Sequence, residues 1–377
     1  MSLNKMNILF LNYEFPPLGG GAGNATYYMF KEFAKTDNLN IDLITSSVDK
    51  FRIEDFADNI KIHYLDIGKK GNFHYQTNKD LLSYSFKAHK YAKALIKKKK
   101  FDLCHAFFGI PCGYIAMKLG LSYIVSLRGS DVPFYNKRFY WLDKFIFKRL
   151  SRKIWRKSSA VIANSVGLKK LAIKSAPMQE ISVICNGVDI EEFCLAESNK
   201  FSKSLSIIST GRLIARKGFQ FLIPALKGLD VELCIIGDGP MISELESLSD
   251  INKVKVYFTG KKRHSEIALS LRKSDLFVLP SLNEGMSNSV LEAMACGLPI
   301  VATDTGGSNE LVKDNGFIIE KGSSEAIKNA VKKYLDNPEL LKMHSNNSRK
   351  LAENMSWNKC AVAYCDFYFK IGAKHEN

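Results

Sequence analysis

Two acids and two cations are the side chains of this sequence best placed to do chemistry. Glu284 and Glu292 stand eight residues apart within Pro280 to Glu310, PSLNEGMSNSVLEAMACGLPIVATDTGGSNE. The apolar run Leu276 to Leu279 ends at Pro280 and reads as a buried strand stopping at a sheet edge. Glu284 follows in a glycine-containing loop. Glu292 falls in the second turn of an apolar helix, which Gly297 and Pro299 close before the strand Ile300 to Thr303. Acids so placed face the crevice at the carboxyl ends of parallel strands, where they can accept hydrogen bonds from the paired hydroxyls of a ribose or a sugar. The cations stand in Gly211-Arg212-Leu213-Ile214-Ala215-Arg216-Lys217-Gly218, directly after another apolar run. Arg212 offers a planar fork and Lys217 a point charge, a pair able to hold a diphosphate. On a leaving phosphate, two cations would do the work otherwise done by a metal. A basic surface turn is the alternative reading.

Other motifs carry weaker signals. Pro16 to Gly23, PPLGGGAG, follows the first strand and opens a helix, so its glycines let backbone N–H groups approach a phosphate or sugar. It is not a dinucleotide fingerprint: counted from Gly19 or Gly21, the last required glycine is Asn24 or Thr26, and Ser46 and Ser47 stand where an acid should end strand two. Gly237-Asp238-Gly239-Pro240 reads as a strand-ending turn. His105, in HAFFGIP, and Arg128 with Asp131, in SLRGSD, sit at the ends of two strands, where His105 could act in catalysis or merely finish its strand. The remaining histidines show no metal-ligand spacing, and eight single cysteines without a CxxC pair favour a reduced, cytosolic protein over a zinc site or disulfide scaffold.

The elements that must position these residues alternate as apolar runs and helical patterns, the signature of parallel α/β sheets. A length of 377 residues implies two domains. In the first, strands are expected at Asn7–Leu11, Ile41–Thr45, Lys61–Leu65, Leu103–Ala106, Tyr123–Leu127, Ala160–Asn164 and Ile181–Cys185. The second has Leu205–Ser209, Glu232–Ile236, Lys255–Phe258, Leu276–Leu279 and Ile300–Thr303, then helices with no further strand. The division is 1–190 for the first domain, 191–203 for a linker, 204–355 for the second domain and 356–377 for an aromatic closing helix.

Net charge is +16, and residues 1–200 hold thirteen of that excess, which suggests that this half meets something anionic. Residues 136–157, NKRFYWLDKFIFKRLSRKIWRK, carry nine Lys/Arg and the single acid Asp143, with Phe139, Leu142, Phe145, Ile146, Leu150 and Ile154 on one helical stripe. That is the make-up of a helix lying on an anionic membrane surface, or of a packed helix with a solvated basic face. No apolar run approaches the ~18 residues of a membrane span, no phosphate-loop ATPase motif occurs in a strand–helix setting, and no recognised nucleic-acid module accompanies the basic charge.

In their order and spacing these motifs resemble the retaining glycosyltransferases of family four, the group 1 glycosyl transferases. The resemblance rests on Pro16, Pro17, Gly20 and Gly21, NGVD at Asn186–Asp189, GRL-x-x-x-KG at Gly211–Gly218, GDGP, Glu284 with Glu292, the following EAMACGLPIVATDTGG, and a final helix beginning near Trp357. It implies a GT-B fold of two facing Rossmann-like domains, the first for the acceptor and the second for a UDP- or GDP-linked sugar. It further implies that Arg212 and Lys217 neutralise the diphosphate, that Glu292 accepts from the ribose, and that Glu284 sits by the donor sugar. Gly20 and Gly21, and the backbone of Gly285, Met286, Ser287 and Asn288, would complete the donor site, with no metal and no cofactor. Retention of anomeric configuration follows, the departing phosphate helping to deprotonate the acceptor. Where relatives carry H-x-H this chain has His105-Ala106-Phe107, and Arg128 stands where histidine is common, so His105 is kept as a catalytic candidate beside Glu284, Arg212 and Lys217, and Arg128 and Asp131 as acceptor-side candidates. Lipid-linked or saccharide acceptors of surface polysaccharide or lipopolysaccharide, met at the cytoplasmic face of a bacterial membrane, suit the basic first domain. A non-catalytic sugar-nucleotide-binding relative and an epimerase acting on UDP-N-acetylglucosamine remain as other readings.

Overall fold

The computed structural model describes residues 5–69, 76–136, 139–196 and 204–373. They fall into two units: one runs to Asn186 and takes back the chain from Trp357 onward, the other is Gly187–Ser356. The linker expected at 191–203 begins inside the second unit, and its part from 197 to 203 lies outside the described residues.

In the first unit the strands are β1 (Met6–Leu11), β2 (Leu39–Ser46), β3 (Arg52–Ala57), β4 (Ile60–Leu65), β5 (Leu103–Phe107), β6 (Tyr123–Leu127), β7 (Ala160–Ala163) and β8 (Ser182–Val183). Their order is β3-β4-β2-β1-β5-β6-β7-β8, parallel throughout except that β3 runs antiparallel to β4. A parallel sheet is covered on both faces, so its strands are apolar on both, and β1 divides by its two-residue period. Leu9 and Leu11 pack among the helices Asn78–Lys98, Tyr114–Leu119, Lys148–Lys157 and Val166–Ser175. Ile8 and Phe10 pack against the helices Gly21–Phe33 and Trp357–Gly372. The aromatic closing helix therefore covers one face of the first sheet, with Trp357 stacked on Tyr28 at 5.9 Å between ring centroids. Strand β3, RIEDFA, escaped the sequence reading because it is a polar edge strand whose partner covers it on one side only.

The expectation of one amphipathic helix over 136–157 is corrected. Residues 137 and 138 lie outside the described ones, and the rest forms a short helix Tyr140–Leu142, a wide turn Asp143–Phe147 and the helix Lys148–Lys157. Asp143 is drawn inward, its carboxylate accepting the Phe134 N–H at 2.8 Å. The turn rotates the stripe: Ile154 and Trp155 enter the core, while Leu142, Phe145 and Ile146 stay exposed.

The second unit has β9 (Leu205–Thr210), β10 (Val231–Ile236), β11 (Val256–Phe258), β12 (Leu276–Leu279), β13 (Ile300–Thr303) and β14 (Gly316–Ile319), all parallel, in the order β11-β10-β9-β12-β13-β14. The expectation of no strand after Thr303 is corrected by β14, GFII, too short and too glycine-led to read as one. Its Gly316 is required, since a Cβ there would lie 1.8 Å from the Ile300 carbonyl oxygen. Among the described residues no helix is long and apolar enough to cross a membrane.

Candidate active site

Within the second unit the strand order reverses between β9 and β12: β9, β10 and β11 progress to one edge, β12, β13 and β14 to the other. Connections that diverge in this way leave a crevice at the carboxyl ends of the two central strands. The loops leaving those strands are fastened together. Gly218 has φ 75°, and a Cβ on it would lie 2.0 Å from the Pro280 carbonyl oxygen. Only glycine lets the two backbones approach so closely. The Leu282 N–H also donates to the Arg216 carbonyl at 2.8 Å.

This fastening produces the central contact of the site, an ion pair between Lys217 of the first loop and Glu284 of the second. The fully buried Ser281 hydroxyl donates to the same carboxylate at 3.0 Å. Burial would raise the Glu284 carboxyl, but the charge and hydrogen bond of Lys217, helped by Arg216, hold it below the ordinary glutamate range. Glu284 is therefore ionised at neutral pH. Arg212 lies on the same loop as Lys217 and is exposed.

From the other side Gly307, after β13, presses on the Glu284 loop: a Cβ there would stand 1.5 Å from the Gly285 carbonyl oxygen. Ser287 precedes the helix Asn288–Ala295 but gives it no side-chain cap, because its hydroxyl pairs with that of Ser289 at 2.9 Å. Gly285, Met286, Ser287 and Asn288 thus form a short backbone run into a helix amino terminus, the geometry that suits phosphate or hydroxyl oxygens.

Glu292 sits one turn into that helix, almost wholly buried, with the His264 imidazole 3.7 Å from its carboxylate. Burial, and after it the Glu192 carboxylate, push Glu292 up to about 8, and burial holds His264 below its ordinary range. Both partners are largely neutral at pH 7, so the contact is not a salt bridge. A protonated carboxyl can donate as well as accept, which suits it to hydroxyl pairs. Neither His264 nor Glu192 was singled out from the sequence, since each is linked to Glu292 only by folding. The GDGP turn is structural: a Cβ on Gly237 would lie 1.8 Å from the Gly211 carbonyl oxygen, and the Leu213 N–H donates to the Asp238 carbonyl at 2.9 Å.

In the first unit the order reverses between β1 and β5, and the loops after β1, β5 and β6 carry the remaining candidates. The Gly20 N–H donates to the Glu14 carboxylate at 3.3 Å, and Gly21 opens the helix Gly21–Phe33. Asp131 is buried and accepts from the N–H groups of Gly109, Arg128 and Gly129 at 2.6, 2.9 and 2.9 Å, which ties the β5 loop to the β6 loop. Arg128 lays its guanidinium over the Phe107 ring, 4.3 Å from the centroid, and donates to the Asn186 side-chain oxygen at 2.7 Å.

His105 belongs elsewhere. It is fully buried, with Nδ1 2.6 Å from the Tyr368 hydroxyl and Nε2 2.7 Å from the Ser126 hydroxyl. Burial, then the nearby Arg128 charge, hold it well below the ordinary histidine range. Its ring is a packing hub between β5, β6 and the closing helix, and neither nitrogen is left for a substrate. Of the sequence candidates, Lys217, Glu284 and residues 285–288 are brought together on adjoining loops, with Arg212 and Glu292 on the same elements, while Arg128 and Asp131 form a separate group on the first unit.

Comparison with known proteins agrees with this layout. Residues 191–351 match the family described as glycosyl transferases group 1, and residues 19–192 match glycosyltransferase family 4. A UDP-Gal:alpha-D-GlcNAc-diphosphoundecaprenol alpha-1,3-galactosyltransferase of Escherichia coli is 30% identical over 312 residues, spanning 74% of this chain and 77% of the relative. Among solved structures, a sucrose-phosphate synthase of Thermosynechococcus elongatus superposes with a TM-score of 0.86 at 18% identity, covering 98% of this chain and 100% of that one. The Anabaena protein HepE in complex with UDP and glucose gives a TM-score of 0.72 at 20% identity, covering 97% and 100%.

Proposed function

The chain belongs to the glycosyl transferases group 1 family, GT-B enzymes that draw on a nucleotide sugar, and from that premise we propose that it is a retaining, metal-independent transferase. Its donor is a UDP- or GDP-linked sugar and its acceptor a saccharide or lipid-linked saccharide of bacterial surface polysaccharide or lipopolysaccharide. The observation that carries the reading is the Lys217–Glu284 pair set across the strand-order reversal, with Arg212 on the same loop.

In this reading Arg212 and Lys217 take the diphosphate, so that the negative charge developing as the anomeric C–O bond breaks meets two cations and no metal is needed. The freed Glu284 carboxylate turns to the sugar hydroxyls, and Glu292 holds the ribose. The acceptor hydroxyl bonds to the anomeric carbon on the face the diphosphate leaves, and its proton passes to a departing phosphate oxygen. Arg128 and Asp131 shape the acceptor side. The segment 136–157, with its exposed apolar residues among basic ones, supports peripheral attachment to the inner, anionic face of the cell membrane.

Incubating the full chain with a panel of nucleotide sugars tests this. Slow release of UDP or GDP that Lys217→Ala abolishes is the expected result. Binding without turnover would favour a non-catalytic relative, for which Phe107 at the usual histidine position speaks, and inversion within the donor would favour an epimerase.

A further inference from the structure

The positive charge of the first unit is not spread over it. The four helices on one face of its sheet, Asn78–Lys98, Tyr114–Leu119, Lys148–Lys157 and Val166–Ser175, hold sixteen Lys/Arg and one acid, Asp80. That acid is already paired with Lys69 at 2.8 Å. The two helices on the opposite face, Gly21–Phe33 and Trp357–Gly372, hold three Lys/Arg and two acids. A face-wide excess of this size amounts to nearly the whole net charge of the chain.

Two sets of large apolar side chains stand out from the same basic face. Leu82 and Phe86, one turn apart at the start of Asn78–Lys98, are each 72% exposed. Trp141 and Phe145, 66% and 55% exposed, stack on each other with centroids 6.0 Å apart, and the Lys144 ammonium lies over both rings. Both sets are at the carboxyl-end side of the sheet. In a parallel sheet each crossover helix starts at the carboxyl end of the strand before it. Leu82 and Phe86 open the helix between β4 and β5, and Trp141 and Phe145 immediately precede the helix between β6 and β7. Arg128 and Asp131, just after β6, lie at the same carboxyl-end side.

We infer that the first unit docks on an anionic lipid bilayer through two apolar anchors, Leu82/Phe86 and Trp141/Phe145, framed by the basic face of four helices. The inference rests on the membrane attachment proposed above and extends it from one segment to a plane. Two anchors fix an orientation where one would allow swivelling, and they hold the Arg128–Asp131 side at the headgroup level, where the sugar of a lipid-linked acceptor emerges. Phosphates of a nucleic acid would be served by the lysines and arginines alone, whereas an aliphatic side chain such as Leu82, which has no ring to stack on a base, gains only from an acyl or headgroup boundary.

The test is co-sedimentation of the full chain with vesicles rich in phosphatidylglycerol, against pure phosphatidylcholine, at low salt. Leu82→Ser with Phe86→Ser is expected to lower partitioning about tenfold, as is Trp141→Ser with Phe145→Ser, with melting temperature and donor hydrolysis in vesicle-free buffer unchanged. If the wild type partitions and the Leu82/Phe86 variant matches it, the second anchor is refuted while membrane attachment stands. If the wild type fails to partition, membrane attachment itself falls, and the anchors with it. Equal binding to structured RNA, indifferent to either pair of substitutions, would make the basic face a nucleic-acid surface and overturn the inference.

Discussion

Lys217 and Glu284 are 67 residues apart in the chain and form an ion pair across the point where the second sheet reverses its strand order. The pair is held by backbone, not by chance rotamers: Gly218 lets the two loops touch, and Ser281 fixes the carboxylate. An anion arriving at Lys217 would compete with Glu284 for the same ammonium.

Lys217→Ala should lower kcat by about 10²–10³-fold, the usual cost of losing one preorganised charge at a developing anion. It should also cost up to ~3 kcal/mol of stability, because Glu284 is left nearly buried without its cation. Glu284→Gln in the same background should recover most of the stability and none of the rate. Steady-state kinetics with paired melting curves check both, and a single mutant as active as wild type would remove Lys217 from the diphosphate.

Gly307→Ala is expected to be more damaging than a one-carbon change suggests. The new Cβ would need the place of the Gly285 carbonyl oxygen, 1.5 Å away, so the Glu284 loop must move. A loss of at least ~2 kcal/mol is expected, together with loss of nucleotide release. Gly307 itself has an ordinary φ of −78°, so its cost is crowding alone; Gly68→Ala, at φ 73° with nothing within 4 Å of its Cβ, gives the cost of left-handed strain alone for comparison.

Much of the fold was legible because strands buried on both faces leave unbroken apolar runs, as MNILFL and LFVL do. β3 and β14 left no such trace, one being a polar edge and the other four residues led by glycine. The types and spacing of Arg212, Lys217, Glu284 and Glu292 marked them as candidates, and the structure pairs two of them, Lys217 and Glu284. The protonation of Glu292 did not show, since it comes from burial and from Glu192, a neighbour only after folding. His105 was ambiguous for the same reason: the partner that settles it, Tyr368, lies 263 residues further on. The 136–157 pattern misled because one inward-turned acid, Asp143, breaks the helical register of the stripe.

His105→Phe separates packing from catalysis. The substitution removes the ring's bonds to the Tyr368 and Ser126 hydroxyls, of which Ser126 keeps the Tyr364 hydroxyl at 3.0 Å, and should cost about 2–4 kcal/mol. Activity per folded molecule at low temperature should stay within a few-fold of wild type. In the wild type the buried ring stays neutral while the unfolded chain binds a proton below its ordinary value near 6.5. His105 therefore subtracts stability as pH falls through and below that value, a dependence the Phe variant should lack. A kcat drop of ~10³ with unchanged melting would instead make the ring catalytic.

Glu292 gives the opposite pH dependence. In the unfolded chain it ionises near the ordinary glutamate value, about 4.3, and in the folded protein at about 8. Between those limits the folded state holds the extra proton, so this residue's contribution is intact in acid and is lost progressively as pH rises from about 4.5 to 8. Glu292→Gln, which mimics the neutral form, should remove that slope: little different from wild type near pH 5, it should be more stable by roughly 2–4 kcal/mol at pH 8. The amide also keeps one donor and one acceptor for a pair of hydroxyls, so donor KM should rise only a few-fold, whereas Glu292→Ala, with neither, should raise it by ~10-fold or more. Melting temperature and KM measured across pH 5 to 9 read both effects. If the Gln variant lost stability relative to wild type at high pH, Glu292 would be an ionised, paired carboxylate, and the ribose would be held by a charge instead of a neutral acid.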